Sequence, residues 1–130
     1  MDFLQHLDDR GYAKALVTNA PRSNAEFMLH TLSLDGTFQP VVIADDLPKG
    51  KPDPLPYQTA LEQLDLRPEE AIVFEDSPTG VRSAVAAGIA TIGVTSSHSD
   101  TTLCGLGAQF TIADFTDGRL AAYGNEEMLA

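Results

Sequence analysis

The sequence has few of the residues that mark disulfide-rich or nucleic-acid-binding proteins. Its 130 residues include one cysteine, Cys104, no tryptophan, and eight Lys or Arg residues against nineteen Asp or Glu residues. A single cysteine excludes an internal disulfide and favours a reducing, cytoplasmic setting. The formal net charge of −11 argues against binding to nucleic acid or to an anionic membrane surface, because both partners are negatively charged.

Long hydrophobic runs are also missing. No run of roughly 18 apolar residues occurs, so we predict no membrane-spanning helix. The first eight residues lack the basic and apolar regions of a secretory signal peptide. Hydrophobic residues make up 43% of the chain, which is enough for the core of one globular domain. We expect a single domain over 1–130, with its core at 2–115 and an acidic tail at 116–130.

Short apolar strands alternate with helices along the chain. The sequence predicts strands at 12–17, 41–44, 71–74, 90–94 and 109–113. It predicts helices at 2–10, from Pro21 towards Gly36, around 57–64, from Pro78 to Gly88 and near 103–106. This alternation is typical of an α/β fold, with a three-layer, Rossmann-like parallel sheet that has helices on both faces.

Polar and charged residues follow the predicted strands. Thr18 and Asn19 follow the first strand, Lys51 lies in the proline-rich loop after the second, and Glu75 and Asp76 follow the third. Ligands of open parallel sheets bind beyond the carboxyl ends of the strands. We therefore expect these five residues to converge at one edge of the sheet.

Together these residue types suit phosphoryl transfer. Such a reaction needs donors for the phosphate oxygens, which Thr18 and Asn19 can supply, and a cation to offset developing charge, which Lys51 can supply. It often also needs a divalent metal held by carboxylates such as those of Glu75 and Asp76. Taken singly, each feature has a simpler interpretation. A Thr-Asn pair can cap a helix, a loop lysine can be solvated, and an acidic pair is favourable at a helix start.

Three segments resemble a known family. They are LVTNAPR at 16–22, KGKPDP at 49–54, and VFEDSPTGV at 73–81 followed by AAG at 86–88. These segments are similar to motifs II, III and IV of the haloacid dehalogenase-like hydrolases. They most resemble the subgroup that contains β-phosphoglucomutase and small sugar-phosphate phosphatases, and the similarity covers roughly residues 2–115.

The resemblance implies roles for individual residues. Thr18 would hydrogen-bond the transferred phosphoryl group with Asn19 beside it, and Lys51 would offset negative charge on the nucleophile and the phosphate. Thr18 and Lys51 are thus the expected catalytic residues. Arg22 would reach a phosphate of the substrate. Glu75 and Asp76 would hold Mg²⁺.

The family's first motif is absent from the sequence. Family members attack phosphate with the first aspartate of an Asp-x-Asp-Gly-Thr motif, which follows the central first strand, and a cap between this motif and motif II selects the substrate. The segment Leu34-Asp35-Gly36-Thr37 resembles the motif, but Ser33 stands where the nucleophile would be, and the segment follows a helix. We interpret it as a helix end.

We therefore predict part of a Mg²⁺-dependent phosphatase or phosphomutase core that acts on a small phosphorylated metabolite through an aspartyl-phosphate. The chain lacks the first, central strand, and we expect it to be inactive alone. An N-terminal half or another chain would complete the sheet, unless the two strands beside the gap pair directly.

Two other classes of protein also fit the sequence. One is a non-catalytic interaction protein that keeps the fold. The other is a receiver-like phosphoacceptor domain, which also combines an acidic pair, a threonine and a lysine. In receivers the acidic pair comes first in the chain, whereas here Thr18 and Lys51 precede Glu75 and Asp76. The order of the residues therefore disfavours the receiver.

Overall fold

A computed structural model of the chain describes residues 13–34, 36–96, 98–113 and the strand at 127–129. The strands are β1 (Lys14–Thr18), β2 (Val41–Ile43), β3 (Ala71–Glu75), β4 (Ala90–Val94), β5 (Phe110–Ile112) and β6 (Glu127–Leu129). The helices are α1 (Arg22–Thr31), α2 (Leu55–Leu64), α3 (Pro78–Ala86) and α4 (Asp100–Gly105). The helix predicted at 2–10 lies outside the described residues.

The six strands form one parallel sheet in the order β2-β1-β6-β3-β4-β5. Helix α3 packs against both α2 and α4. With this strand order, the right-handed crossovers typical of parallel sheets put α2, α3 and α4 on one face and α1 on the other. The predicted α/β fold with helices on both faces is therefore confirmed. The carboxyl ends of all the strands lie at the same edge.

The strand between β1 and β3 comes from the far end of the chain. Strand β6 pairs with β1 through Ala15 and Leu129, and with β3 through Val73 and Leu129. The expectation that β1 and β3 might pair directly across the gap is wrong, because β6 separates them. Residues 127–129, within the predicted acidic tail, thus hold the central position of the sheet.

The core is built from small and medium apolar side chains, as the low aromatic content requires. Strand β3 is buried along its whole length, which explains its unbroken apolar run. The main cluster joins β1, β2 and β3 to the apolar faces of α2 and α3, and its fully buried members include Tyr57, Ala60, Val73 and Ala84. This packing fixes α2 and α3 against the strands whose ends carry the candidate site.

Local signals set the ends of several helices. The Ser77 side chain accepts a hydrogen bond from the Gly80 backbone N–H at the start of α3, as predicted. After α1 the chain turns through Gly36, whose φ of +75° favours glycine. The Leu34–Thr37 segment thus follows a helix end, although Asp35 itself lies outside the described residues. No helix in the described part of the chain is long and apolar enough to span a membrane.

Candidate active site

Lys51 links the carboxyl ends of two strands. Its Nζ donates a hydrogen bond to the backbone oxygen of Val17 in β1, at 2.7 Å, and forms an ion pair with Oε1 of Glu75 in β3. Thr18 directly follows Val17, and Asp76 directly follows Glu75. The two side chains of the ion pair are only 8% and 6% exposed. The predicted convergence of β1, the lysine loop and β3 is therefore present in the structure.

The Glu75 carboxylate has a second donor, the hydroxyl of Tyr57 in α2. The Tyr57 hydroxyl donates to Oε1 of Glu75 at 2.5 Å, and the Lys51 Nζ lies 5.1 Å from the centre of the Tyr57 ring. Burial, together with the negative charge of Glu75, raises the pKa of the Tyr57 phenol well above its ordinary value. The hydroxyl thus stays protonated and acts as a donor.

The other oxygen of Glu75 faces the first turn of α3. A Cβ built on Gly80 would lie 1.9 Å from Oε2 of Glu75, so any larger residue at position 80 would displace the carboxylate. Glu75 is thus enclosed by Lys51, Tyr57 and the Gly80 backbone.

Asn19 holds the lysine loop through its backbone. Its Oδ1 accepts a hydrogen bond from the Lys51 N–H at 3.0 Å, and its Nδ2 donates to the Lys51 oxygen at 3.2 Å. A Cβ on Gly50 would lie 3.0 Å from the same Oδ1, so the close approach depends on glycine there. The sequence suggested Asn19 as a phosphate donor, whereas in the structure its amide group bonds to the loop.

Thr18 and Arg22 lie on the same edge. The hydroxyl oxygen of Thr18 accepts a hydrogen bond from the Ala20 N–H at 3.0 Å, which leaves its proton available to a phosphate oxygen. Arg22, at the start of α1, forms an ion pair with Asp46 in the short 3₁₀ turn after β2 and lies 4.0 Å from Glu26. The guanidinium is about half exposed, so it faces solvent.

Asp76 is the accessible acid of the predicted pair. Its side chain is exposed, and the Ser96 hydroxyl after β4 lies within 3.5 Å of its Oδ2. Adjacent carboxylates at a strand end are ligands that suit Mg²⁺, which takes few protein carboxylates and keeps several waters. Glu75 can join Asp76 only through oxygens that already face Lys51 and Gly80. Within residues 13–34, 36–96 and 98–113, no three His, Cys, Asp or Glu side chains cluster as a metal site.

Comparison with known proteins shows the family of the chain. Residues 1–94 match the haloacid dehalogenase-like hydrolase family. The chain belongs to the haloacid dehalogenase-like hydrolase family. It is 38% identical over 119 residues to the validoxylamine A 7'-phosphate phosphatase of Streptomyces hygroscopicus subsp. limoneus, covering 92% of this chain and 55% of that protein.

Two further matches are proteins whose names refer to carbohydrate phosphates or to β-phosphoglucomutase. The phosphorylated carbohydrates phosphatase of Thermotoga maritima is 40% identical over 98 residues, which cover 75% of this chain and 45% of that protein. The crystal structure of a candidate β-phosphoglucomutase from Thermotoga maritima superposes with a TM-score of 0.80 at 36% identity, covering 85% of this chain and 52% of that one. These matches confirm the resemblance to the β-phosphoglucomutase-like subgroup. The chain spans about half the length of the curated relatives it matches.

Sequence reasoning missed three contributors to the site of this haloacid dehalogenase-like chain. Tyr57 begins the helix predicted around 57–64, Gly80 lies in the segment 73–81, and Ser96 follows the strand predicted at 90–94, but the sequence assigned none of them a role in the site. The position of Tyr57 in the sequence was the available signal for its role. Tyr57 lies six residues after Lys51, on the buried face of the helix that follows the Lys51 loop. The hydrophobic periodicity of α2 predicts that Tyr57 is buried, but it does not predict that its hydroxyl contacts the Glu75 carboxylate.

Proposed function

We propose that this chain provides part of the active site of a Mg²⁺-dependent phosphatase or phosphomutase, acting on a small phosphorylated metabolite in the cytoplasm. The observation that carries the proposal is the Lys51 ammonium, held between the Val17 oxygen and Glu75 at the carboxyl edge of the sheet. A buried cation fixed at this edge suits the charge that develops on a transferring phosphoryl group. The phosphatase relatives support the same conclusion.

Each remaining residue at the edge has a role that its contacts allow. Thr18 donates its hydroxyl proton to a phosphate oxygen, and Lys51 stabilises charge on the phosphoryl group. Asn19 fixes the Lys51 loop and lies beside the phosphate. Arg22, paired with Asp46 at the exposed side, binds a further anionic group of the substrate.

A magnesium ion would be held by Asp76 with Glu75. The exposed Asp76 carboxylate is a hard oxygen donor that suits the ion, whereas the neighbouring Glu75 could join it only if one of its oxygens turned away from Lys51 or Gly80. Bound there, magnesium would withdraw charge from a phosphate oxygen. It would also reverse the local sign of a chain whose net charge is −11.

The nucleophile comes from outside these 130 residues. The sequence contains no Asp-x-Asp-Gly-Thr motif, so an aspartyl-phosphate needs an aspartate from an N-terminal half or another chain. The strand that carries this aspartate would lie between β1 and β3, at the position that β6 holds. Without it we expect no turnover of phosphate esters.

A non-catalytic interaction role is the second candidate. The observation that favours it is β6, which pairs with both β1 and β3 and so completes the sheet without a catalytic strand. Phosphate-ester hydrolysis after addition of a segment that carries Asp-x-Asp-Gly-Thr separates the two candidates. Activity that appears supports the enzyme, and its absence in a folded complex supports the interaction role.

Lys51→Ala tests the catalytic assignment directly. The variant is measured in the protein completed by the segment that carries Asp-x-Asp-Gly-Thr. There we expect kcat for a sugar phosphate to fall about 10²- to 10³-fold, as it does when a charge-stabilising donor is lost. Lys49→Ala is the matched control, because Lys49 lies in the same loop with its side chain 70% exposed, and we expect its rate to be unchanged. Equal rates for Lys51→Ala and the unmodified protein would refute the proposed role.

A further inference from the structure

The carboxylate of Glu75 is held in one orientation by groups from three elements. Lys51 reaches it from the loop before α2, the Tyr57 hydroxyl from α2 itself, and the backbone of Gly80 from α3. A buried carboxylate with a charged partner and a second donor is far less free to rotate than an exposed one. Its orientation therefore fixes where the Lys51 ammonium sits.

Tyr57 is the member of this group with no phosphate or metal chemistry of its own. Its side chain is fully buried, so its hydroxyl cannot reach a substrate at the exposed edge. A buried hydroxyl without a partner would be costly, and Tyr57 finds its partner in Oε1 of Glu75, the same oxygen that binds Lys51. The ring adds a second contact, since the Lys51 Nζ lies 5.1 Å from its centre.

We infer that Tyr57 is a positioning residue for Lys51: its hydroxyl fixes the Glu75 carboxylate, and its ring flanks the ammonium, so that the charge is held at the carboxyl end of β1. The importance of this position for catalysis rests on the function proposed above. The positioning itself is a property of the folded chain and is testable without turnover.

The test compares two variants that each lose one buried hydroxyl. Tyr57→Phe keeps the ring and removes the bond to Glu75. Thr91→Val is the matched control, because the Thr91 hydroxyl is buried in β4 and donates to the Ile89 oxygen at 2.9 Å, away from Lys51. Urea denaturation measures the stability that each variant loses.

The readout is hydrogen exchange with water at the Lys51 ammonium, followed by NMR of chain labelled with ¹⁵N-lysine. Only three lysines occur in the sequence, Lys14, Lys49 and Lys51, so assignment is simple. We expect Tyr57→Phe to speed exchange at Lys51 about three- to tenfold, the factor that corresponds to one lost hydrogen bond. Thr91→Val should leave that rate unchanged. Unchanged exchange in Tyr57→Phe, or equal acceleration in both variants, overturns the inference.

Phosphate titration separates this inference from the proposed function. With Mg²⁺ held constant, we expect inorganic phosphate to bind Tyr57→Phe more weakly than Thr91→Val by a similar factor. If no variant binds phosphate, the proposed function fails, while the exchange result still decides the positioning role.

A variant of Glu75, the residue that accepts the Tyr57 hydrogen bond, tests the inference if Tyr57→Phe does not fold. In Glu75→Gln, the ¹³Cζ signal of Tyr57 should move, because a neutral amide replaces the carboxylate that accepts its bond. An unchanged signal overturns the inference.

Discussion

At the scale of the residue, the site depends on one glycine as much as on its charged groups. The Glu75 carboxylate approaches α3 so closely that a methyl group on Gly80 would lie within 1.9 Å of Oε2. A carbon and an oxygen that are not bonded cannot lie so close together, so the carboxylate or the helix would have to move. Because Glu75 is ion-paired with buried Lys51, movement of either partner disturbs the other.

Gly80→Ala is therefore expected to lower the free energy of unfolding by about 1–3 kcal/mol, as overpacking in a well-packed core does. The matched control is Gly105→Ala, since Gly105 is at the end of α4 with no atom within 4 Å of its added methyl. That variant should be as stable as the unmodified chain, or more stable by about 0.5–1 kcal/mol. Urea denaturation of both variants makes the measurement. Equal stabilities would mean that Glu75 does not lie against α3.

At the scale of the element, α3 connects the carboxyl end of β3 to the core. It begins one residue after Ser77, whose hydroxyl accepts the Gly80 N–H at 3.1 Å. This cap keeps the first turn closed and so keeps Gly80 against Glu75. The buried residues Val81 and Ala84 then anchor the helix to the sheet and to α4.

Ser77→Ala should lower the free energy of unfolding by about 1 kcal/mol through loss of the cap. Ser77→Asn keeps an acceptor at the same position and should retain most of the stability. Thermal or urea denaturation of the two variants distinguishes them. A Ser77→Asn variant as unstable as Ser77→Ala would show that the hydrogen bond has no part in the effect.

At the scale of the whole molecule, the sheet is joined at its centre by β6. The backbone of Met128 pairs with Lys14 on one side and Ile72 on the other, so β6 connects the half of the sheet that carries Thr18 to the half that carries Glu75. Parallel strands left without this neighbour would expose two rows of unpaired backbone groups.

Met128→Pro tests this arrangement. Proline has no N–H, and because both sides of β6 are paired, one ladder hydrogen bond is lost whichever way that N–H points. We expect Met128→Pro to be less stable than Met128→Ala, which keeps the donor, by about 1–3 kcal/mol. Denaturation midpoints provide the comparison. Identical midpoints would indicate that β6 does not pair with both strands in solution.

The sequence by itself determined the alternation of strands and helices, the edge of the sheet on which Thr18, Lys51 and Glu75 lie, and the family. Those features depend on local burial patterns and on motifs, and both can be recognised in the amino-acid sequence. Tertiary structure alone decided that Asn19 binds the Lys51 backbone, that the Tyr57 hydroxyl meets Glu75, and that residues 127–129 fill the centre of the sheet. These contacts join residues that are 18 or more positions apart. Hydrophobic periodicity shows that a side chain is buried, but its partner is set by how the elements pack.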